Sequence, residues 1–478
     1  CSEAYVSKPP YYRCSSCAKG YYRRNSECVK CPDSPYMLVI GFCMLVFAAA
    51  GVGYFLTRRK VNIGFISIGI DYFQVLAIFA NAKVQWPPII KELFNILSAF
   101  NLNIEIVAPE CLVPDVSFKQ KWYFVMLLPL CLGGLFLVIH GVQVLYKVLI
   151  KGRTKGLLNH AGPMISSGLA LFYILYLYLV RTVLEVFNCT PTVPDDGRTY
   201  LNGVFEECGI PGGTQMTLIP AAVAAIIIYV LGYPAFLVYF FIRNREKIME
   251  DQLLRAKGVG NNHLSNPNAY FLRKAYARVY YQFKPDYYFW VLAIVMRKAW
   301  LAITGLMFRR SAAFQLAAAL LVLFLAYAAQ VRFMPYMSPG DFEGVLKSHV
   351  ESSYTSAIHA RLRVSLAKIE SRGRKRVHRN VLNKAGKVDY SAVIGVLGSW
   401  LFNYNTVESV LVASAVLVSL MGIMYDSSGS SFYSSGRNGI TAVIALTIIV
   451  TIVYYLAVVI TEITILANEE SRRKTLEK

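Results

Sequence analysis

Asp71 with Gln74, Arg297 with Lys298, His140 with Gln143, and Glu462 all fall inside long apolar stretches of the chain. Ionisable groups at membrane depth are costly and carry function unless they lie at a helix end. Asp71 and Arg297 each stand about ten residues into their stretch, both stretches enter from the same side, and at about 1.5 Å per residue they reach a similar depth. An Asp71–Arg297 pair is therefore geometrically possible. It would serve as part of an ion pathway or as a buried contact that fixes helix packing, and the residues alone leave both open. Arg181 and Glu185, at i and i+4, can satisfy each other near the end of another stretch. The sequence has no potassium-filter loop, Arg-rich voltage sensor, nucleotide-binding loop or His/Glu metal cluster. The expectation is a protein that is not an enzyme and needs no cofactor or metal.

Sulfur supplies the other chemistry. Of ten cysteines, Cys43 and Cys131 lie within apolar stretches and read as small packing residues. Cys1, Cys14, Cys17, Cys28, Cys31, Cys111, Cys189 and Cys208 lie outside the stretches, all on predicted outer segments, as disulfides in an oxidising compartment would. The spacing Cys14-x2-Cys17-x10-Cys28-x2-Cys31 also suits a four-cysteine zinc site, but an outer location favours disulfides. Cys189 and Cys208 bracket a polar loop with Asp195, Asp196 and Gly197 and are expected to pair. Five cysteines near the N-terminus with Cys111 imply a bridge to the second outer loop, with Cys31 the expected partner. Asn188-Cys189-Thr190 is an N-glycosylation sequon, weakened by a bridged cysteine in its middle position.

The elements that must position these residues are nine apolar stretches, at 36–57, 63–84, 122–149, 161–187, 215–242, 287–308, 312–333, 407–425 and 440–467. Each reaches or approaches the roughly 20 residues that a helix needs to cross a bilayer. With 56% hydrophobic and 16% charged residues, the chain has too little polar surface for a soluble particle of its size. The fold expected is an all-α polytopic membrane protein of about nine transmembrane helices behind a small disulfide-rich extracellular stalk. Its divisions are 1–35 (stalk), 36–333 (spans one to seven), 334–406 (basic cytoplasmic insertion), 407–467 (spans eight and nine) and 468–478 (tail). The net charge of +21 follows this plan, because far more Lys and Arg fall on predicted inner segments than on outer ones. That places the N-terminus outside and the C-terminus in the cytoplasm. A start at Cys1, without Met or signal peptide, suggests the C-terminal part of a larger surface protein.

Between the second and third stretches, Trp86-Pro-Pro precedes Ile89, Ile90, Leu93, Ile96, Leu97 and Phe100 at helical spacing, the apolar face of an amphipathic helix. A packing or interfacial role is expected there rather than a pore helix.

The run Cys-x2-Cys-x2-Gly-Tyr-Tyr…Cys-x2-Cys-Pro, from Cys14 to Pro32, resembles the ephrin-receptor-like, EGF-related cysteine repeats of surface proteins. Asn103-Ile-Glu-Ile with Pro109-Glu110-Cys111, then Phe118-x2-Lys121 and Leu-Pro-Leu at 128–130, is similar to the TRP-like (transient-receptor-potential-like) membrane domain. That domain ends large surface proteins of protists and algae and is related to fungal flavin-carrier proteins. Phe283-Lys-Pro-x-Tyr-Tyr-Phe-Trp290, Arg297-Lys298, Gln315, Gln330, Asn405-x2-Glu408 and Gly422 carry the same resemblance across 36–467. The chain departs from it between Met337 and Asn403, where relatives join the two spans closely. The resemblance implies a cation channel or mechanosensory channel subunit of the plasma or ciliary membrane. The alternatives are a non-conducting anchor or receptor for an extracellular structure, and a transporter of lipid or small molecules.

Within that departure Arg361, Arg363, Lys368, Arg372, Arg374, Lys375, Arg376 and Arg379 crowd a stretch with little acidic counterweight. They read either as a solvated face obeying topology or as one side of an amphipathic helix binding anionic inner-leaflet lipids. Besides the bilayer, the partners expected are further copies of the chain, other channel subunits or extracellular filaments. Nucleic acid is not expected under a membrane without a nucleic-acid fold signature.

Overall fold

The computed structural model describes residues 3–6, 17–24, 27–34, 36–37, 40–41, 44, 64–79, 84, 86–97, 111, 116–149, 161–191, 195–201, 204, 206–260, 262–307, 311–338, 341–352, 400–427 and 436–476. The described chain is mostly helical. Two small antiparallel hairpins accompany the helices: β1 (Tyr21–Arg24) with β2 (Glu27–Lys30), and β3 (Cys189–Pro191) with β4 (Thr199–Leu201). Tyr21 lies opposite Lys30 in the first, and Cys189 opposite Leu201 in the second.

Among the described residues seven helices are long and apolar enough to cross a membrane, against the nine expected. The first apolar stretch lies largely outside the described residues. The second is the helix α1 (Gly64–Phe79), only 16 residues long and too short to count as a span by length. At about 1.5 Å per residue it covers about 24 Å. Its burial explains its composition: α1 is apolar nearly all round because other helices, not lipid, surround it.

The helix α2 (Pro88–Leu97) starts on a proline at its first position, where the missing N–H is no loss. Its inward stripe is Ile90, Phe94 and Leu97, and this corrects the expected face: Ile89 and Ile96 are 72% and 64% exposed, whereas Ile90 is 0%. The helix lies over Trp86, whose ring meets Phe94 edge-on and whose indole N–H donates to the Phe79 carbonyl.

The long helix α3 (Phe118–Leu149) opens on a reciprocal cap, Ser117 Oγ accepting from Gln120 N–H and Gln120 Oε1 from Ser117 N–H. It packs with α4 (Ala161–Glu185) and α5 (Thr214–Ala225) around Trp122, Leu175, Leu179 and Leu218. A π-helical turn (Ile226–Leu231) joins α5 to α6 (Gly232–Ala256) in one continuous rod. Pro234 has no N–H for the Val230 carbonyl, and Tyr176 Oη donates to that oxygen at 3.1 Å instead.

Beyond α6 come α7 (Tyr270–Tyr280), a 3₁₀ turn (Pro285–Tyr287), α8 (Val291–Met307) and α9 (Ala312–Phe333). Ser311 caps α9 by accepting from Phe314 N–H, and Met334 ends it in the left-handed region. Then follow α10 (Phe342–Ser352), α11 (Tyr404–Ser427) and α12 (Arg437–Leu476).

The main core gathers α1, α2, α4, α6 to α9, α11 and α12. Two glycines set its closest approaches. A side chain on Gly69 of α1 would enter the Tyr455 ring of α12, and one on Gly422 of α11 would lie 2.6 Å from Trp86 and 2.8 Å from Leu316. The surface left exposed on the spans is apolar, including Leu127, Leu137, Ile227, Leu231, Leu321 and Leu446, as hydrocarbon contact requires.

Candidate functional site

The charged residues read from the sequence meet inside this core. Asp71 lies midway along α1, and Arg297 and Lys298 lie side by side on α8. Lys298 Nζ approaches Asp71 Oδ1 to 2.8 Å as a charge contact rather than an aligned hydrogen bond. Arg297 Nη2 lies 3.8 Å from Asp71 Oδ2. A fourth charge completes the group: Glu408, one turn into α11, takes a hydrogen bond from Arg297 Nη1 at 2.8 Å. Two acids and two bases, all buried, make a neutral cluster drawn from three helices.

A fourth helix closes it. Tyr173 of α4 donates its hydroxyl to Asp71 Oδ2, and its carbonyl accepts from Lys298 Nζ at 3.2 Å. The Lys298 ammonium also lies 3.8 Å from the centre of the Tyr173 ring, a cation–π contact strengthened by burial. Gln74, one turn on from Asp71, donates to the Ile174 carbonyl at 2.9 Å. A charge removed from water is tolerable only with such partners, since an uncompensated one costs about 3–5 kcal/mol.

Arg297 thus stands between two carboxylates at unequal distance. Its Nε has no hydrogen-bond partner, and beside it lies a cavity of about 10 Å³, room for one water-sized occupant. Ile68, Asp71, Tyr72, Leu323 and Glu408 share the lining. Polar contacts continue along α11, where Ser414 meets Tyr72 Oη at 2.8 Å and Thr451 Oγ1 at 3.0 Å.

The remaining sequence candidates separate from this group. Glu462 of α12 lies near Tyr404, at the start of α11. The side chains of His140 and Gln143 lie outside the described residues, as do Arg361, Arg363, Lys368, Arg372, Arg374, Lys375, Arg376 and Arg379. Arg181 lines a second small cavity with Ile78, Leu301 and Gln315.

The sulfur chemistry is disulfide. Cys31 is bonded to Cys111 and Cys189 to Cys208, and Cys17 is bonded to Cys28. These bridges remove the four-cysteine zinc alternative, because three of its ligands are committed elsewhere. Cys1, Cys14 and Cys43 lie outside the described residues, and Cys131 is a free, exposed thiol on α3. Asn188 Nδ2, the atom a glycan would occupy, is enclosed, and the next residue is bridged.

A second buried network was not foreseen. Asp251, near the end of α6, accepts from Arg273 Nε at 2.7 Å, Asn266 Nδ2 at 2.5 Å and Tyr280 Oη at 2.8 Å. Burial first, and the Asp251 carboxylate second, hold the Tyr280 phenol well above its ordinary range, so it acts as a donor. These polar residues follow the apolar part of α6 and carry no signal distinguishing them from a solvated face. No family model, curated protein or solved structure matches the chain.

Proposed function

We propose that the chain is the membrane domain of a TRP-like cation channel or mechanosensory channel subunit, in which the Asp71–Arg297–Lys298–Glu408 cluster sets the conformational state. The observation that carries this reading is the position of Arg297, bonded to Glu408 at 2.8 Å with Asp71 1 Å farther away at 3.8 Å. A guanidinium between two buried carboxylates has two near-equivalent arrangements, and each favours a different placement of α1 against α11. Exchange between them changes no net charge, which makes it affordable in a low-dielectric interior.

In this reading nine spans cross a plasma or ciliary membrane, with the cysteine-bridged EGF-related stalk outside and the C-terminus in the cytoplasm. The basic residues 361–379 face anionic inner-leaflet lipid, and further copies, other channel subunits or extracellular filaments are the partners. Reconstitution of the full chain in liposomes tests it: cation flux should be measurable, and Glu408→Gln should change its open fraction. Absence of flux in the native chain under membrane tension and voltage rejects conduction.

A second reading, a non-conducting anchor or receptor, draws support from the Cys31–Cys111 bridge and from the roughly 10 Å³ cavity at the cluster. The bridge gives an external load a covalent path past the first apolar stretch. On this reading the flux assay is silent, while substitutions in the cluster change only stability.

A further inference from the structure

Residues 335–338 form a short extended peptide between α9 and α10 that is bonded on both edges. On one edge it pairs with the segment leading into α8: Lys284 N–H donates to the Pro335 carbonyl at 2.7 Å and Met337 N–H to the Gln282 carbonyl at 2.9 Å. Phe283 and Tyr336 form the antiparallel bridge between them. On the other edge Asn405 mimics a neighbouring strand. Its Oδ1 accepts from Tyr336 N–H at 2.9 Å and its Nδ2 donates to the Tyr336 carbonyl at 2.8 Å. Ser338 Oγ adds an acceptor for Tyr404 N–H at 3.1 Å, capping α11.

The two helices hung on this peptide are the two that carry Arg297 and Glu408. Asn405 lies one turn before Glu408 on α11, and the Gln282–Lys284 edge leads directly into α8. The relative register of these helices, and so the 2.8 Å contact between their charges, is set where the peptide grips both.

A third hold comes from the end of α6. Arg255 donates to the Met337 carbonyl at 3.0 Å and to the Tyr281 carbonyl, and its guanidinium lies over the rings of Tyr281 and Phe342. Gln252 donates to the carbonyls of Tyr280 and Phe283, each at 2.9 Å. Met337 is itself buried with Leu253, Val345 and Leu346, which docks α10 on the same end of α6.

We propose that residues 335–338 are a relay, with Arg255 and α10 as its input and Asn405 as the positioning residue for Glu408. Movement of α10 or of the end of α6 then alters the intramembrane ion pair without touching it. The proposal concerns coupling and stands whether or not the chain conducts.

Amide hydrogen exchange on the full chain in lipid nanodiscs tests it. Arg255→Gln should raise exchange in residues 404–412 by about tenfold, the factor that loss of one or two ordinary hydrogen bonds produces, and leave α4 and the middle of α12 unchanged. Asn405→Ala should do the same. The double variant should exceed the larger single effect by no more than about twofold, because both act on one path. A rise confined to α6, α7 and 335–338 overturns the relay, and so does a rise spread evenly over all spans. Multiplication of the two single effects overturns it as well. Should Arg255→Gln fail to fold, Ser338→Ala, which removes only the Tyr404 cap, is read by the same criteria.

Discussion

Two buried networks in this molecule use the same trio of a carboxylate, an arginine and a tyrosine. Around Asp251 the partners are Asn266, Arg273 and Tyr280, all within 29 residues on α6, α7 and their connection. Around Asp71 they come from Tyr173, 102 residues away, and from Arg297, which is itself tied to Glu408 across 111. The local network needs only two adjacent helices and satisfies its carboxylate mainly with hydrogen bonds. The long-range one exists only when four helices have assembled, and it satisfies its charges mainly with one another. A structure of the second kind reports on the arrangement of the whole bundle, which is why a state-dependent role belongs to it.

The largest expected difference between them is the response to losing the arginine. Arg297→Met strands two buried acids beside one lysine and should destabilise the chain by about 3–5 kcal/mol, read as a fall in unfolding temperature in detergent. Arg297→Met with Glu408→Met should recover most of that loss. Simple addition of the two effects would mean that the pair is not coupled.

Asp251→Asn keeps the shape of the local network and removes its charge-assisted bonds. About 1.5–3 kcal/mol is expected, measured in the same assay. A loss as large as that of Arg297→Met would erase the distinction drawn here.

Gly69→Ala tests dependence on packing alone. The added methyl drives α1 from the Tyr455 ring, two residues before Asp71, and overpacking of this kind costs about 1–3 kcal/mol. Hydrogen exchange should rise around Asp71 and stay unchanged in α7. Equal rises in both regions would show that the networks are not independent.

The smallest effect is one of pH. Because the Tyr280 phenol is raised well above 10.0, the folded chain keeps a proton that the unfolded chain gives up. The corresponding stability is complete below pH 10 and is lost as the pH rises beyond it. Tyr280→Phe should flatten that alkaline slope while costing about 1 kcal/mol at neutral pH. An unchanged slope would place the titration elsewhere.

Depth made part of the site legible. Asp71 and Arg297 stood out because charged residues in the middle of apolar stretches have few innocent explanations, and counting residues put them level. Glu408 lay outside that logic: one turn from a helix end, a carboxylate reads as a flank that water can reach. Only the resemblance drew Asn405 and Glu408 out. The burial of α1 was hidden because a helix buried by other helices and one buried by lipid have the same composition. In α2 the spacing revealed an amphipathic helix but misplaced its face, since Ile89 and Ile96 are as apolar as Ile90 and only packing against Trp86 chooses between them. The cysteines were legible in part: a bracketed loop pointed to Cys189–Cys208 and an odd count near the N-terminus to a bridge with Cys111, while nothing in the spacing singled out Cys17–Cys28. The Asp251 network left no trace, because buried and solvated polar residues are spelled alike.

The wide turn at Ile226–Leu231 bears on how this chain tolerates change in length. A π turn accommodates one residue more than regular pitch requires while keeping the helices on either side in phase. Removing Ile227 or Ile228, both exposed, would return the rod to ordinary pitch with α5 and α6 still presenting their present faces. The same deletion in the middle of α9 would turn everything after it by about 100°, at 3.6 residues per turn. The rod from Thr214 to Ala256 therefore has one place where it can be shortened without being re-aimed.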